Sequence, residues 1–198
     1  QILYEYSDYA GNLDEHYFLQ DIVMAHEIFK EKPDMHYDIG SRIDGFVAHL
    51  LSYNQEVTLL DIRPLNISLS KLHFVQTDAT MLEEIEDESI ESLSSLHAIE
   101  HFGLGRYGDK IDPSACFTAM RSMQNKVKKC GKIYLSIPIG SEEKVCFNSH
   151  RIFSPKTIIK EFESMKLLKF MYIQDLRVNL VEDLDKFDEN ILGEYDCG

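Results

Sequence analysis

Basic residues are scarce in this chain. Its 198 residues include 20 Lys and Arg against 34 Asp and Glu, a formal net charge of −14 at pH 7. That balance argues against broad nucleic-acid binding, which needs cations to replace counterions along the phosphates. Cysteine is sparse as well. Cys116, Cys130, Cys146 and Cys197 are far apart and form no Cys-x-x-Cys pair, which fits a reducing cytoplasm better than a disulfide scaffold or a thiolate zinc site. No apolar run approaches the roughly 20 residues that a membrane-spanning helix needs, and no signal-peptide pattern opens the chain. Internal repeats and Pro/Gly/Ser linker tracts are missing too. The first residue is Gln1 rather than Met, which suggests a trimmed N-terminus. What is present is globular: 44% hydrophobic and 27% charged residues suffice for one full core. The expectation is a soluble, acidic, cytoplasmic protein.

Periodicity divides the chain into alternating elements. The first 12 residues are aromatic-rich (Tyr4, Tyr6, Tyr9) and unpatterned. Over residues 14–31, Phe18, Ile22, Ala25 and Phe29 recur at helical spacing and predict one apolar face, with Pro33 as the stop. Residues 1–32 therefore read as an N-terminal helical cap, and residues 33–198 as the main domain. Short apolar runs predict strands at 35–39, 57–62, 72–76, 90–96, 132–137 and 168–173. Helices are predicted at 43–53, with Phe46, Val47, Leu50 and Leu51 inward, and from Asp112-Pro113 to the Lys126/Lys128/Lys129 stretch before Gly131. Another starts at Ser154-Pro155, with Ile158, Ile159 and Phe162 on one side. Strands separated by helices imply right-handed crossovers. The predicted fold is α/β: a doubly wound, Rossmann-like, mostly parallel sheet with helices on both faces. Ligands of such folds sit beyond the carboxyl ends of the strands.

Those ends carry the chemistry. After the first strand, Asp38-Ile39-Gly40-Ser41-Arg42-Ile43-Asp44-Gly45 keeps the first and third glycines of a Gly-x-Gly-x-x-Gly turn and places Arg42 at the middle one. The middle glycine lets a backbone approach a pyrophosphate, so Arg42 counts against NAD or FAD and tolerates a cofactor without one. Asp61 follows Gly40 by 21 positions, near the spacing of an acid that bonds ribose hydroxyls. Asp78, flanked by Thr77 and Ala79, ends the third strand. Each acid singly also fits a turn cap; three on one rim outline a site for an adenosine-containing ligand.

The fourth strand runs into His97-Ala98-Ile99-Glu100-His101, followed by Gly103, Gly105, Arg106, Tyr107, Gly108 and Asp109. His-x-x-Glu-His is also an inverted zinc-protease signature, which requires a helix. The strand before it and the glycines after it argue against a long helix, so no metal site is assigned. Asn148, His150 and Arg151 are expected in a loop before the last helix, a usual place for substrate contacts and equally for helix-start hydrogen bonds.

Taken together, these segments resemble the class I S-adenosylmethionine-dependent methyltransferases. More narrowly, Asp38 to Phe46, Asp61-Ile62-Arg63-Pro64, Glu100 to Asp109 and Phe147 to Arg151 resemble the uncharacterised domain of unknown function 268 family. The resemblance implies S-adenosylmethionine as cofactor and S-adenosylhomocysteine as product. It places cofactor contacts at Asp38, Gly40, Asp61 and Asp78, with Ser41, Arg42, Gly45, Ala79 and Leu96 around them, and His97 beside the methionine portion. On this reading His101 is the base for O-methylation, with His97 or His150 as runner-up and Glu100 orienting the ring. Arg106, Tyr107, Asp109, Asn148, His150 and Arg151 face a polar small molecule or a sugar or glycan precursor. The cap is a lid over the cofactor mouth or a dimer face.

Three rivals stand beside it. Arg42 favours an inactive cofactor-binding or interaction protein. An NAD-dependent sugar-nucleotide enzyme wants an intact glycine turn and a Tyr-x-x-x-Lys pair, whereas Tyr107 and Lys110 are three apart. A zinc hydrolase would use His97, Glu100 and His101. The stop at Cys197-Gly198 predicts an incomplete closing strand.

Overall fold

The computed structural model describes residues 15–198; Tyr4, Tyr6 and Tyr9 lie outside them. Five strands make the parallel sheet: β1 (His36–Ile39), β2 (Val57–Asp61), β3 (Leu72–Gln76), β4 (Ile90–Leu96) and β5 (Val127–Ser136), in the order β3-β2-β1-β4-β5. Every neighbouring pair is parallel, so each crossing passes over a face of the sheet. Val57 to Leu60 of β2 are all buried, as a strand covered on both faces must be. On one face Ile39, Leu60, Ile90 and Leu93 meet Met120 and Met123 of helix α3 (Ala115–Lys126). On the other, Val57 and Leu96 meet Ala25 and Ile28 of α1 (Glu15–Glu31), together with Phe46, Val47 and Leu50. These last three belong to a π-helical turn, Ile43–Val47, that runs into α2 (Ala48–Ser52). The doubly wound fold is as predicted. Among the described residues no helix is long and apolar enough to cross a membrane.

Beyond β5 the sheet changes character. β6 (Pro138–Ile139) continues β5 after Ile137 and joins β9 (Phe170–Gln174), β10 (Arg177–Val181) and β11 (Asp196–Cys197) in the order β10-β9-β11-β6. The hairpin β7 (Lys144–Cys146) and β8 (His150–Ile152) lies between β6 and α4 (Pro155–Glu161), whose N-cap Ser154 accepts the Lys156 N–H. At the end of the given sequence, β11 runs antiparallel between β6 and β9, and Ile137 and Gly198 exchange backbone hydrogen bonds at 2.9 and 3.1 Å.

Three local expectations are corrected. In α1, Phe18, Ile22 and Phe29 are exposed, while Gln20, Ala25 and Ile28 face inward. The anchor is polar, a bond from the Ser136 hydroxyl to Gln20 Oε1 at 2.7 Å, which a hydrophobic periodicity does not register. Helix α3 ends at Lys126 rather than near Gly131, because Val127 pairs with Ile90 and a register shift follows. His150 and Arg151 stand on β8, not in a loop.

Candidate functional site

A cavity of about 340 Å³ opens beyond the carboxyl ends of the parallel strands, within the size range of small-ligand pockets. Gly40, Asp61, Asp78, Ala79, His97 and His101 line it, as do Tyr107 and Asp109, and Ile39, Leu60, Ile62, Met81 and Phe102 supply apolar wall. The structure thus brings together residues that the sequence separates by up to 79 positions, from Ile39 to Thr118.

Gly40 sits at φ +71, and a Cβ there would stand 3.1 Å from that of Ala98, so the turn hugs the cavity wall. Asp38 lies behind the turn. Its carboxylate accepts the N–H and hydroxyl of Ser41 at 3.0 and 2.9 Å, and the hydroxyl of Ser94. Burial raises its pKa to about 6, against the pull of those donors. Asp38 and Ser41 are therefore braces of the turn rather than cavity lining. Arg42 is exposed and pairs with Asp44 at 2.9 Å, so it neither lines nor crowds the cavity. Gly45 faces α1 instead: a Cβ there would come within 2.5 Å of Asp21 Oδ2. Leu96 is core, packed with Phe46 and Ala25.

Asp61 is at the cavity but occupied. It accepts from the Arg63 backbone N–H at 2.8 Å and from Nε and Nη2 at 3.0 and 2.6 Å. Asp78 is exposed and caps the next turn through the Thr80 N–H at 2.8 Å.

The histidines meet over one buried carboxylate. Glu100 lies in a 3-10 turn, Ile99–His101, which is not the helix a zinc signature needs. Its Oε1 is 3.2 Å from His97 Nδ1 and 3.6 Å from His101 Nε2. Glu100 Oε2 and His97 Nδ1 are buried without a hydrogen bond of good geometry. His97 holds a left-handed backbone at φ 50, a strained conformation for a non-glycine residue. Its Nε2 is 3.3 Å from Cys197 Sγ. Burial opposes protonation there, yet the Cys197 thiol and the Glu100 carboxylate outweigh it and raise the pKa to about 10. His101 Nδ1 lies 2.5 Å from the Ser149 carbonyl. His150 bonds the Ser149 hydroxyl at 2.8 Å, and burial lowers its pKa.

Asp109 folds the glycine-rich segment. Its carboxylate collects the N–H groups of Gly103, Gly105 and Tyr107 at 2.8, 3.2 and 3.1 Å. Partial burial pushes its pKa up, but those donors prevail and hold it below the usual carboxylate range. Tyr107 is exposed, with the guanidinium carbons of Arg63 and Arg106 at 4.8 and 5.2 Å from its ring centre. Arg151, predicted to face substrate, is a buried strut donating to the carbonyls of Glu100, Phe102 and Pro113. Asn148 is exposed in the turn between β7 and β8, away from the cavity lining. Sequence reasoning missed Arg63, and it missed Tyr195 and Cys197, which only the closing of the sheet brings to His150 and His97.

Solved structures share this architecture. Burkholderia thailandensis 1,6-didemethyltoxoflavin-N1-methyltransferase, determined with 1,6-didemethyltoxoflavin and S-adenosylhomocysteine, matches at TM-score 0.60 and 12% identity over 93% of this chain and 76% of its own. The glycopeptide N-methyltransferase MtfA matches at 0.59 and 10% over 83% and 93%, and the [4+2]-cyclase SpnF at 0.53 and 11% over 78% and 58%. The fold is that of the class I S-adenosylmethionine-dependent methyltransferases. No curated protein matches the sequence. The profile of the Caenorhabditis proteins of unknown function, DUF268, matches residues 56–181, and the chain belongs to that family.

Proposed function

We propose that the protein is an S-adenosylmethionine-dependent methyltransferase that O-methylates a polar small molecule or a sugar-type precursor. The observation that carries this reading is the cavity itself, where Gly40, Asp61 and Asp78 surround an apolar slot and His101 stands on the same wall. The residues fit an adenosyl ligand: the Asp61 carboxylate takes vicinal hydroxyls in exchange for the Arg63 fork that now holds it, the aliphatic wall suits a purine, and Gly40 removes the side chain where backbone must come close. When bound, that cofactor supplies an electrophilic methyl group on a sulfonium. The chain holds donor and acceptor in line and excludes water, a proximity effect that supplies several kcal/mol. His101 donates through Nδ1 to the Ser149 carbonyl, which fixes the tautomer and leaves Nε2 to accept the hydroxyl proton. Glu100 Oε1, 3.6 Å from Nε2, offsets the charge that results. Helix α1, resting on the Gly45 turn, is the cap, and the acidic chain with unpaired cysteines works in the cytoplasm.

Calorimetric titration with S-adenosylhomocysteine and S-adenosylmethionine, with NAD as control, tests the reading. Micromolar binding of the adenosyl ligands, lost in Asp61→Ala, is expected; no binding overturns it. His101→Ala should bind S-adenosylhomocysteine normally and lose at least 100-fold in methyl transfer. Full turnover in that variant removes the base assignment. A second reading, a cofactor-binding protein without methyl transfer, is favoured by one contact: Arg63 already holds both oxygens of Asp61.

A further inference from the structure

Cations are few in this chain, and most of those on its surface are paired with acids. Lys126 meets Asp87, Lys132 meets Glu31 and Arg121 meets Glu161. Arg106 is different. Its guanidinium donates to the Ser149 carbonyl and lies against His101 Nδ1, both at 3.3 Å, and rests on the Tyr107 ring. Among the described residues no carboxylate pairs with it. An exposed arginine without an acid, packed on the cavity-lining residues His101 and Tyr107 in a protein of charge −14, is a ready partner for an anion, because its planar fork matches phosphate or carboxylate oxygens in pairs.

Arg63 makes the second half of the site. It rests on the same Tyr107 ring, while its fork is spent on Asp61. Asp61 is also the acid that ribose hydroxyls would take. A ribose bound there competes for the same two oxygens and loosens the fork, while the cation–π contact with Tyr107 keeps Arg63 at the mouth. Lys110 lines the same cavity.

We infer that the methyl acceptor carries an anionic group of the phosphate or carboxylate kind, bound by Arg106 and Arg63 across Tyr107, and that cofactor binding at Asp61 completes this site by releasing Arg63. This deepens the methyltransferase reading and rests on it. The coupling is reciprocal: whatever the cofactor adds to anion affinity, the anion adds to cofactor affinity.

The experiment is calorimetric. S-adenosylhomocysteine is titrated first; then inorganic pyrophosphate, inorganic phosphate and malonate are each titrated into free and S-adenosylhomocysteine-saturated protein. At least one anion should bind, at least 10-fold more tightly to the saturated form. The phosphate and malonate arms decide between phosphate and carboxylate. Arg106→Gln should weaken anion binding at least 10-fold in both forms. Arg63→Gln should abolish the gain from S-adenosylhomocysteine, and Arg63→Lys, which keeps the charge without the fork, should restore part of it. Arg177→Gln, on the exposed edge of β10, should change nothing. Arg63 and Arg106 are both exposed enough that the variants should melt with the wild type.

Failure of S-adenosylhomocysteine to bind overturns the methyltransferase reading and this inference with it. Binding of S-adenosylhomocysteine with no anion binding, or with anion binding indifferent to Arg63 and Arg106, overturns the inference alone. Anion binding that is equal in the two forms overturns the release of Arg63.

Discussion

Beneath the cavity, polar groups are buried and held by neutral partners, whereas at its mouth charges are exposed and share partners. His36 has its ring nitrogens 2.8 Å from the hydroxyls of Ser92 and Ser94. Asp38 is held by two serines, and Arg151 gathers three carbonyls. Glu100 Oε2 and His97 Nδ1, which face each other's residues, are exceptions. The rim is Arg63, Arg106, Tyr107 and Asp78, where one ring serves two guanidiniums. The difference follows from desolvation. A buried polar group is costly unless every partner is in place, so the floor is rigid. Exposed pairs contribute little to stability, so the rim is free to trade partners with a ligand.

Substitutions can break or sharpen that contrast. The largest effect is expected just above the floor, at Gly103. It has φ +75, and a Cβ there would stand 1.9 Å from the Asp112 carbonyl. Gly103→Ala should cost roughly 4 kcal/mol, a fall in melting temperature on the order of 10 °C, and should remove S-adenosylhomocysteine binding. Next comes Arg151→Gln, which strips buried carbonyls of their donor and should cost about 3 kcal/mol in urea unfolding.

Acid provides a third and subtler probe. Burial lowers His36 from 6.5 to about 3, so the stability it contributes is full above pH 6.5 and is lost as pH falls toward 3. Asp38 works the other way: its folded pKa is raised to about 6, so its contribution is greatest below the unfolded value and is lost as pH rises through 6. In wild type the two slopes oppose each other. Asp38→Asn should expose the histidine term, a fall on the order of 2 kcal/mol between pH 6.5 and pH 5. A flat profile in that variant would show that His36 is not isolated from solvent. The smallest effect belongs to the rim: Arg63→Gln should shift unfolding by less than about 0.5 kcal/mol, and a larger loss would place Arg63 with the floor.

The parallel half of the fold was legible because its signals are local and long. The unbroken apolar run of β2 marks a strand buried on both faces, and the interval from Gly40 to Asp61 carries the spacing of a known turn. Both landed on the cavity. The antiparallel end was not legible in the same way: β6, β7, β8 and β11 span two or three residues each, too short for any periodicity. Tyr195 and Cys197 reach the histidines only because that end closes. Polar roles were misread for a related reason. Asp38, Arg42 and Arg151 are the residue types that grip ligands, and a sequence shows these side chains without the Ser94 hydroxyl, the Asp44 carboxylate or the Phe102 carbonyl that engage them. The face of α1 failed differently, since Phe18, Ile22 and Phe29 have helical spacing yet stay over 40% exposed.

The close seat of α1 on Gly45 has a consequence in time rather than in space. With Asp21 filling the place of a missing Cβ, the helix and the turn below it open together or not at all. A ligand that stiffens the turn must therefore slow amide exchange in α1, which supplies none of the cavity lining itself, and hydrogen-exchange rates along that helix become a gauge of occupancy.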